Sequence, residues 1–243
     1  MDWVRRELDA YELSQPDVAP REMVAVVDCV FFGRTMGYLV VRDPYLKENV
    51  YWHEIASETL EEYLYARDTL EAQGFVIQAI VADGKPGLKP IYKDIPIQMC
   101  HFHQQAIIRR YITTRPKLEA GKELKELVKN LGKYCEKCFA RELATWHRKW
   151  HEFLNERTLN PETNKRPFTH KRLRSAYRSL KTNLPYLFTY KKHPELHMPN
   201  TTNGLEGLFA YLKELVRVHR GIKPGLKRKI IKTILQKAIR KPN

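Results

Sequence analysis

The stretch that decides the fold is EMVAVVDCVFFG, residues 22–33, which combines a strand-forming run with one charged side chain. β-Branched and apolar residues fill the run and Gly33 closes it, so it predicts a buried β-strand. Within the apolar part, VAVVDCVFF, Asp28 is the one acid. An uncompensated buried carboxylate is expensive, so Asp28 is expected to be paired, protonated or bound to a metal ion.

The segments on the C-terminal side of this strand alternate between strand and helix patterns. Residues 37–56 read as two strands joined by a turn, so the first three strands predict an antiparallel meander. Residues 57–74 have the pattern of a helix, and residues 75–84 that of a buried strand ending at Asp83. A short helix and a fifth strand over 95–104 follow. Beyond this point strand signals give way to helical ones.

The order β-β-β-α-β-(α)-β, followed by helices, is that of a ribonuclease H-like α/β domain with a mixed five-stranded sheet. We expect a helical insertion between the last strand and a late helix that completes the core. The expected segments are an N-terminal extension at 1–21, the ribonuclease H-like core at 22–104, the helical insertion at 105–200, and the C-terminal helix with a basic tail at 201–243.

The charge balance favours a polyanionic partner. The chain has 243 residues and a formal net charge of +15, which points most simply to nucleic acid. Four cysteines are too few for a disulfide scaffold at this length. The N-terminus lacks the apolar region of a signal peptide and no window is long and apolar enough for a membrane span, so a cytoplasmic, nucleoid-associated protein is expected.

The segment TTNGLEGLFAYLKELVRVHRG, residues 201–221, predicts an amphipathic helix because its apolar residues recur at three- and four-residue steps. Asn203 is a favourable N-cap and Glu206 lies three positions later, as in a capping box. The alternative is that Glu206 projects from the first turn and completes a site with other acids.

Asp28, Asp83 and Glu206 together have the chemistry of such a site. The strands that carry the two aspartates are neighbours in the expected topology, and adjacent carboxylates repel unless a cation lies between them. Three carboxylates suit Mg²⁺, and two such ions ~3.5–4 Å apart promote phosphodiester cleavage. The alternatives are that Asp28 is hydrogen-bonded to backbone and that Asp83 is a simple strand-to-turn residue.

Four blocks in this order, VVDCVFFG, VADGKPGL, CHFHQ and TTNGLEGLFAYLK with a later HRG, resemble the bacterial insertion-sequence transposases of the Mutator-like group. These are DDE transposases with a ribonuclease H-like core, and the resemblance covers residues 22–235. The catalytic acids of the family fall on Asp28, Asp83 and Glu206. A Cys-x-x-His pair of the family falls on Cys100 and His103.

The resemblance implies cleavage at transposon ends, followed by strand transfer of the freed 3′-hydroxyl into target DNA. It implies two Mg²⁺ ions, with Mn²⁺ as a substitute, held by the three acids and supported by Cys100, His103 and Asn203. It also implies a homodimer or higher assembly on DNA, without a membrane partner. Only 27 residues precede Asp28, whereas such transposases usually carry an N-terminal DNA-binding region. Two rival functions are a ribonuclease H-like nuclease without strand transfer and a non-catalytic DNA-binding remnant.

A second metal site is conceivable on the cysteines. Cys100, His103, Cys135 and Cys138 have the residue types of a Cys₃His zinc site. The alternative is that Cys135 and Cys138 are ordinary helix thiols and that Cys100 and His103 act near the carboxylates.

Two basic runs are the expected DNA-binding surfaces. Residues 163–194 contain nine Lys or Arg and no acid, and residues 213–241 contain eleven with Glu214 as the only acid. Contacts from these runs to DNA phosphates would make affinity fall steeply with salt; the alternative is a merely solvated face. The predicted phosphate-binding residues are Lys171, Arg172, Arg174, Arg178, Lys213, Arg217, Arg220, Lys227, Arg228 and Lys229.

Overall fold

The fold is described from a computed structural model, in which residues 18–218 and 221–237 can be described. The chain forms two compact units. The first comprises the described residues up to Ile97 and from Thr202 onward, and the second comprises Gln98–Thr201. The first unit therefore contains both the N-terminal strands and the C-terminal helices, which meet only in the folded chain.

One mixed sheet of five strands is the framework. The strands are β1 (Glu22–Phe31), β2 (Gly37–Asp43), β3 (Glu48–Ile55), β4 (Val76–Ala82) and β5 (Ile97–Met99). Their order across the sheet is β3-β2-β1-β4-β5. β1 is antiparallel to β2 and β2 to β3, whereas β1 is parallel to β4. The predicted α/β class, the five-stranded mixed sheet and the antiparallel meander are confirmed.

The helices alternate with the strands at first and then follow one another. They are α1 (Leu60–Ala72), α2 (Leu88–Ile91), α3 (His101–Ile112), α4 (Glu119–Lys129), α5 (Glu136–Lys149), α6 (His151–Asn155), α7 (Lys171–Leu187), α8 (Thr189–Lys192), α9 (Asn203–Val218) and α10 (Pro224–Lys237), with 3₁₀ turns at Leu131–Lys133 and Pro194–Leu196. Within the described ranges, no helix combines the length and apolar character needed to cross a membrane.

One face of the sheet is covered by the helices that lie between the strands in sequence. Successive residues of a strand point to opposite faces, so Ala25 and Val27 share one side of β1. They pack in a buried cluster with Tyr63 and Leu70 of α1. This cluster is the core of the first unit, and it holds the central strand rigidly from one side.

The other face of β1 carries Val26 and Asp28, at the alternate positions. α9 packs against β1, and its buried residues include Leu205 and Phe209 at helical spacing. The apolar stripe of the amphipathic helix is thus what brings α9 onto this side of the sheet. Asp28, on the same face as Val26, is itself buried, at 7% exposure.

The second unit is built from helices around its own core. Phe139 and Leu143 of α5 pack with Leu180 of α7 in one buried cluster. Trp146 belongs to this cluster, and its indole N–H donates to the carbonyl of Ala120 at 3.0 Å. Separate cores explain why the chain divides into two units.

The predicted fifth strand over 95–104 is too long. The strand ends at Met99, Cys100 occupies the N-cap position, and a helix begins at His101. His103 therefore lies in the first turn of α3 and not on a strand. The reason lies in the downstream pattern: buried positions after Cys100 recur three or four residues apart, which is a helical spacing that the apolar start of the segment conceals.

Candidate carboxylate site

The two aspartates predicted from sequence lie on neighbouring parallel strands. Val26 of β1 pairs with Val81 of β4, and each aspartate lies two residues further along its own strand direction. Because a step of two residues returns to the same face, Asp28 and Asp83 are directed to the same side of the sheet. Adjacent strands are about 4.8 Å apart, so the two aspartates lie on neighbouring strands at the same sheet edge. Asp83 is nevertheless not part of the group of ligand atoms within 4.8 Å of one another that contains Asp28 and Glu206.

Each aspartate is oriented by a nearby backbone N–H. The N–H of Cys29 donates to Oδ1 of Asp28 at 2.8 Å, and the N–H of Lys85 donates to Oδ1 of Asp83 at 2.9 Å. The positive φ of Gly84, at 81°, allows the turn that makes the second bond. One such bond occupies one of about four acceptor sites on a carboxylate, so backbone bonding orients these groups without excluding a cation.

Glu206 is brought to the same region by the first turns of α9. The helix begins at Asn203, and the carbonyl of Thr202 accepts the N–H groups of Leu205 and Glu206 at 2.8 and 3.1 Å. Thr202 therefore occupies the N-cap position, and the predicted capping box from Asn203 to Glu206 is wrong by one residue. Thr202 is fully buried whereas Asn203 is exposed, so packing selects the start of the helix.

Carboxylate oxygens of Asp28 and Glu206 lie within 4.8 Å of each other. Two oxygen ligands of a single Mg²⁺ at 2.0–2.1 Å are about 3 to 4.2 Å apart, so a separation within 4.8 Å is compatible with one bridging cation. Oxygen donors with full negative charge are the ligands that Mg²⁺ prefers. The residues present therefore fit a hard divalent cation.

Cys29 follows Asp28 and lies on the opposite face of β1, where it packs against the cluster that contains Tyr63. Burial raises the pKa of this thiol, and the charges of Glu58, Asp28 and Asp83 raise it further, against a lowering by the hydrogen bond to Tyr63. Two of the three predicted acids thus act on the same atom.

A supporting network beside Asp83 was not predicted. Tyr63 donates its hydroxyl to Oε1 of Glu58 at 2.8 Å, and the ammonium of Lys85 donates to the backbone carbonyl of Glu58 at 2.8 Å. Lys85 also lies 3.4 Å from Oε1 of Glu58. In the sequence, the only signal for this network was the position of Lys85 two residues after Asp83. Tyr63 and Glu58 lie on a helix and a loop that are distant from Asp83 in sequence.

The predicted cysteine site is not assembled as a zinc centre. In the second unit Cys135 and Cys138 are joined in a disulfide, at the N-cap and first turn of α5. Two cysteines bonded to each other are not available as thiolate ligands. Cys100 is a buried free thiol, and no cysteine belongs to a group of three metal-ligand side chains within 4.8 Å among the described residues.

The predicted phosphate-binding residues of the second unit differ in their contacts. Arg172 donates to the carbonyl of Arg110, and Arg174 donates to Oδ1 of Asn155 at 2.8 Å. Lys171 and Arg178 are exposed and have no ion pair with another described residue. These last two are therefore better placed for a polyanion than the two that hold the unit together.

The same division holds for the C-terminal helices of the first unit. Arg217 pairs with Glu214 at 2.6 Å, and Arg228 pairs with Glu54 at 2.8 Å. Lys213 is exposed and Lys227 is half-buried on α10. Lys229 lies on the same helix, and the predicted contact at Arg220 falls outside the described residues.

Comparison with models of protein families finds no match to this chain, and comparison with curated proteins finds no significant relative.

Proposed function

We propose that this chain is the catalytic part of a DDE-type DNA transposase. Its active site would consist of three carboxylates, Asp28, Asp83 and Glu206, in a ribonuclease H-like core. The support is the sheet order β3-β2-β1-β4-β5 with its antiparallel meander and parallel fourth strand, together with the resemblance of four motifs in sequence. The substrate class is DNA, as the net charge of +15 favours.

The observation that carries the proposal is the approach of Glu206 to Asp28. The two residues lie at opposite ends of the chain, and their carboxylate oxygens lie within 4.8 Å of each other. Two carboxylates that approach each other at a buried strand position are an arrangement that a bound cation stabilises, which favours a cation-binding role.

The chain's own residues supply orientation and charge. Asp28 and Asp83 would hold the cations from the sheet, each already fixed by one backbone N–H, and Glu206 would complete the ligand set from α9. Bound Mg²⁺ supplies activation of an attacking oxygen and stabilisation of the leaving oxygen of a phosphodiester. Exposed cations such as Lys213 would hold the DNA backbone.

His103 and Cys100 are proposed, from the resemblance, as residues that support the site. His103 lies in the first turn of α3, and Cys100 is buried at the N-cap of the same helix. The proposed assembly is a homodimer or larger complex on paired DNA ends.

The test combines cleavage and joining. Purified protein is incubated with supercoiled plasmid and with labelled duplexes from the DNA that flanks the gene, each ending in a free 3′-hydroxyl, in Mg²⁺, Mn²⁺ or EDTA. We expect metal-dependent nicking and covalent joining of the labelled duplex to the plasmid. Glu206→Gln abolishes both, whereas Glu214→Gln, the same substitution on the exposed part of α9, leaves them unchanged.

The outcomes separate the candidates. Metal-dependent nicking without joined product identifies a nuclease that lacks strand transfer. DNA binding that is unaffected by Glu206→Gln, with no metal-dependent cleavage by the wild type, identifies a DNA-binding remnant and refutes the catalytic proposal.

A further inference from the structure

The second unit contains an open cavity of about 540 Å³. It lies between the end of α3, the segment that leads into α4, and the start of α7, so the whole cavity belongs to one unit. This volume is within the ~300–1,000 Å³ typical of sites for small organic ligands. The cavity is therefore large enough for a molecule of the size of a nucleotide.

The rim of the cavity is strongly cationic. Arg115, Lys117, Lys171 and Arg172 all line it, and none of the described lining residues is acidic. Arg115, Lys117 and Lys171 are exposed and make no ion pair with another described residue. Four cations around one hollow repel one another, so an anion bound there would lower the electrostatic free energy.

The floor of the cavity is apolar, which distinguishes it from a simple phosphate site. Ile112, Pro116, Leu118 and Leu173 contribute the apolar surface, and Tyr111 adds an aromatic ring at one side. Apolar and aromatic surface beneath a cationic rim matches a ligand that has a flat hydrophobic part and an attached anion. A nucleobase with its phosphate has this composition.

The backbone at the mouth of the cavity is held in an unusual conformation. Thr113 follows the last residue of α3 with φ 70° and ψ 172°, a region that is essentially restricted to glycine. Its N–H donates to the carbonyl of Arg109 at 2.8 Å, so the strained residue is part of the helix end. Strain of this kind is typical of ligand-binding segments.

We infer that this cavity binds an unstacked nucleotide of single-stranded DNA, with the base on the apolar floor and the phosphate on Arg115, Lys117 and Lys171. The inference adds a second nucleic-acid site, and it does not depend on cleavage by the carboxylates. An inorganic anion alone would leave the apolar floor exposed. A duplex cannot insert a base into the cavity, because its bases are stacked on one another.

The test is fluorescence anisotropy with fluorescein-labelled oligo(dT) in EDTA, over a series of salt concentrations. We expect the double variant Lys117→Gln, Lys171→Gln to lower the slope of log affinity against log salt by about 0.7, since one phosphate contact to a single strand contributes about 0.7. The same relation corresponds to about 5-fold weaker binding at about 0.1 M salt. Thymidine monophosphate is expected to compete better than inorganic phosphate.

The matched control is Lys133→Gln, Lys137→Gln, which removes the same charge from exposed residues of the same unit outside the cavity. It should retain the wild-type slope. A third variant, Leu118→Asp, places a negative charge in the cavity. Leu118 is the N-cap residue of α4, where aspartate is favourable, so this variant should fold and bind oligo(dT) more weakly.

Equal losses in the two lysine pairs would mean that only the overall charge matters, and would overturn the inference. Wild-type affinity in Leu118→Asp would overturn it as well, as would equal losses with duplex DNA of the same length. Because the assay contains no divalent metal, failure here leaves metal-dependent cleavage standing, and loss of cleavage in Glu206→Gln leaves this cavity unaffected.

Discussion

Replacing Glu206 by glutamine removes its charge, and the sign of the resulting change in the free energy of unfolding shows whether Glu206 binds a metal ion or only stabilises the helix. Carboxylate oxygens of Glu206 and Asp28 lie within 4.8 Å of each other. Two unit charges at about this separation repel by about 3.5 kcal/mol at an effective dielectric constant of about 20, and the partial exposure of Glu206 reduces this repulsion. We therefore expect Glu206→Gln to stabilise the metal-free protein by on the order of 1–3 kcal/mol at neutral pH. A glutamate that served only the helix dipole would give the opposite sign, a loss of about 0.3–1 kcal/mol.

The assay is urea denaturation at neutral pH, first in EDTA and then in MgCl₂. Wild-type protein should gain about 2.7 kcal/mol when the free metal is about 100 times its dissociation constant. If the loss of Glu206 weakens metal binding about 100-fold, the variant should gain only about 0.4 kcal/mol under the same conditions. If Glu206 binds a metal ion, Glu206→Gln must both unfold at higher urea than the wild type in EDTA and lose most of the stabilisation by MgCl₂.

Glu214→Gln is the control, since Glu214 lies on the same helix, is exposed and pairs only at the surface with Arg217. Its stability should change by less than about 0.5 kcal/mol and its metal response should match the wild type. Destabilisation of Glu206→Gln in EDTA, or an undiminished response to Mg²⁺, would refute the reasoning from the approach of Glu206 to Asp28.

Three further predictions concern single positions. Asp83→Asn keeps the acceptor for the turn but loses the charge, so it should fold normally while metal-dependent nicking falls at least about 100-fold. Thr202→Ala should cost about 1 kcal/mol in urea denaturation, and Asn203→Ala less than about 0.5 kcal/mol, because the first is the buried cap residue. Burial lowers the pKa of His101, whose Nε2 is hydrogen-bonded to the carbonyl of Leu187. The unfolded chain therefore binds more protons than the folded one, and the free energy of unfolding should fall as pH decreases through about 6.5. In denaturation curves at several pH values, His101→Gln should flatten this dependence.

The sheet could be predicted because its strands carry a strong local signal. The run from Glu22 to Phe31 is apolar and β-branched, and short turns follow it, so strand identity and antiparallel order come from nearby residues. The end of β5 could not be predicted, because the three residues Ile97–Met99 before Cys100 are too few to distinguish a strand from a helix by their pattern. Tertiary packing of the later positions decides between them.

Asp28 was singled out by contrast with its surroundings, since a charge inside VAVVDCVFF needs compensation wherever the strand lies, and Asp83 by its position at the end of a strand. The network of Glu58, Tyr63 and Lys85 carries no such contrast. Its members are ordinary polar residues on separate elements, and only the packing of α1 against the sheet brings them together. Likewise, the pairing of Cys135 with Cys138 depends on the cap geometry of α5, which spacing alone does not fix.

The cap and the carboxylate site are not alternatives, because the position of one determines the other. An α-helix turns about 100° per residue, so starting α9 one residue later would rotate the side chain of Glu206 away from β1 unless the apolar stripe also shifted. Burial of Thr202 and of Leu205 fixes the start and the rotation together. The chain between β5 and α9 can be long at little cost, since loop-closure entropy grows only with the logarithm of length. The first turn of α9 therefore determines where Glu206 lies relative to Asp28, although the two residues are far apart in sequence. Substitutions at Thr202 should accordingly disturb metal binding as well as stability.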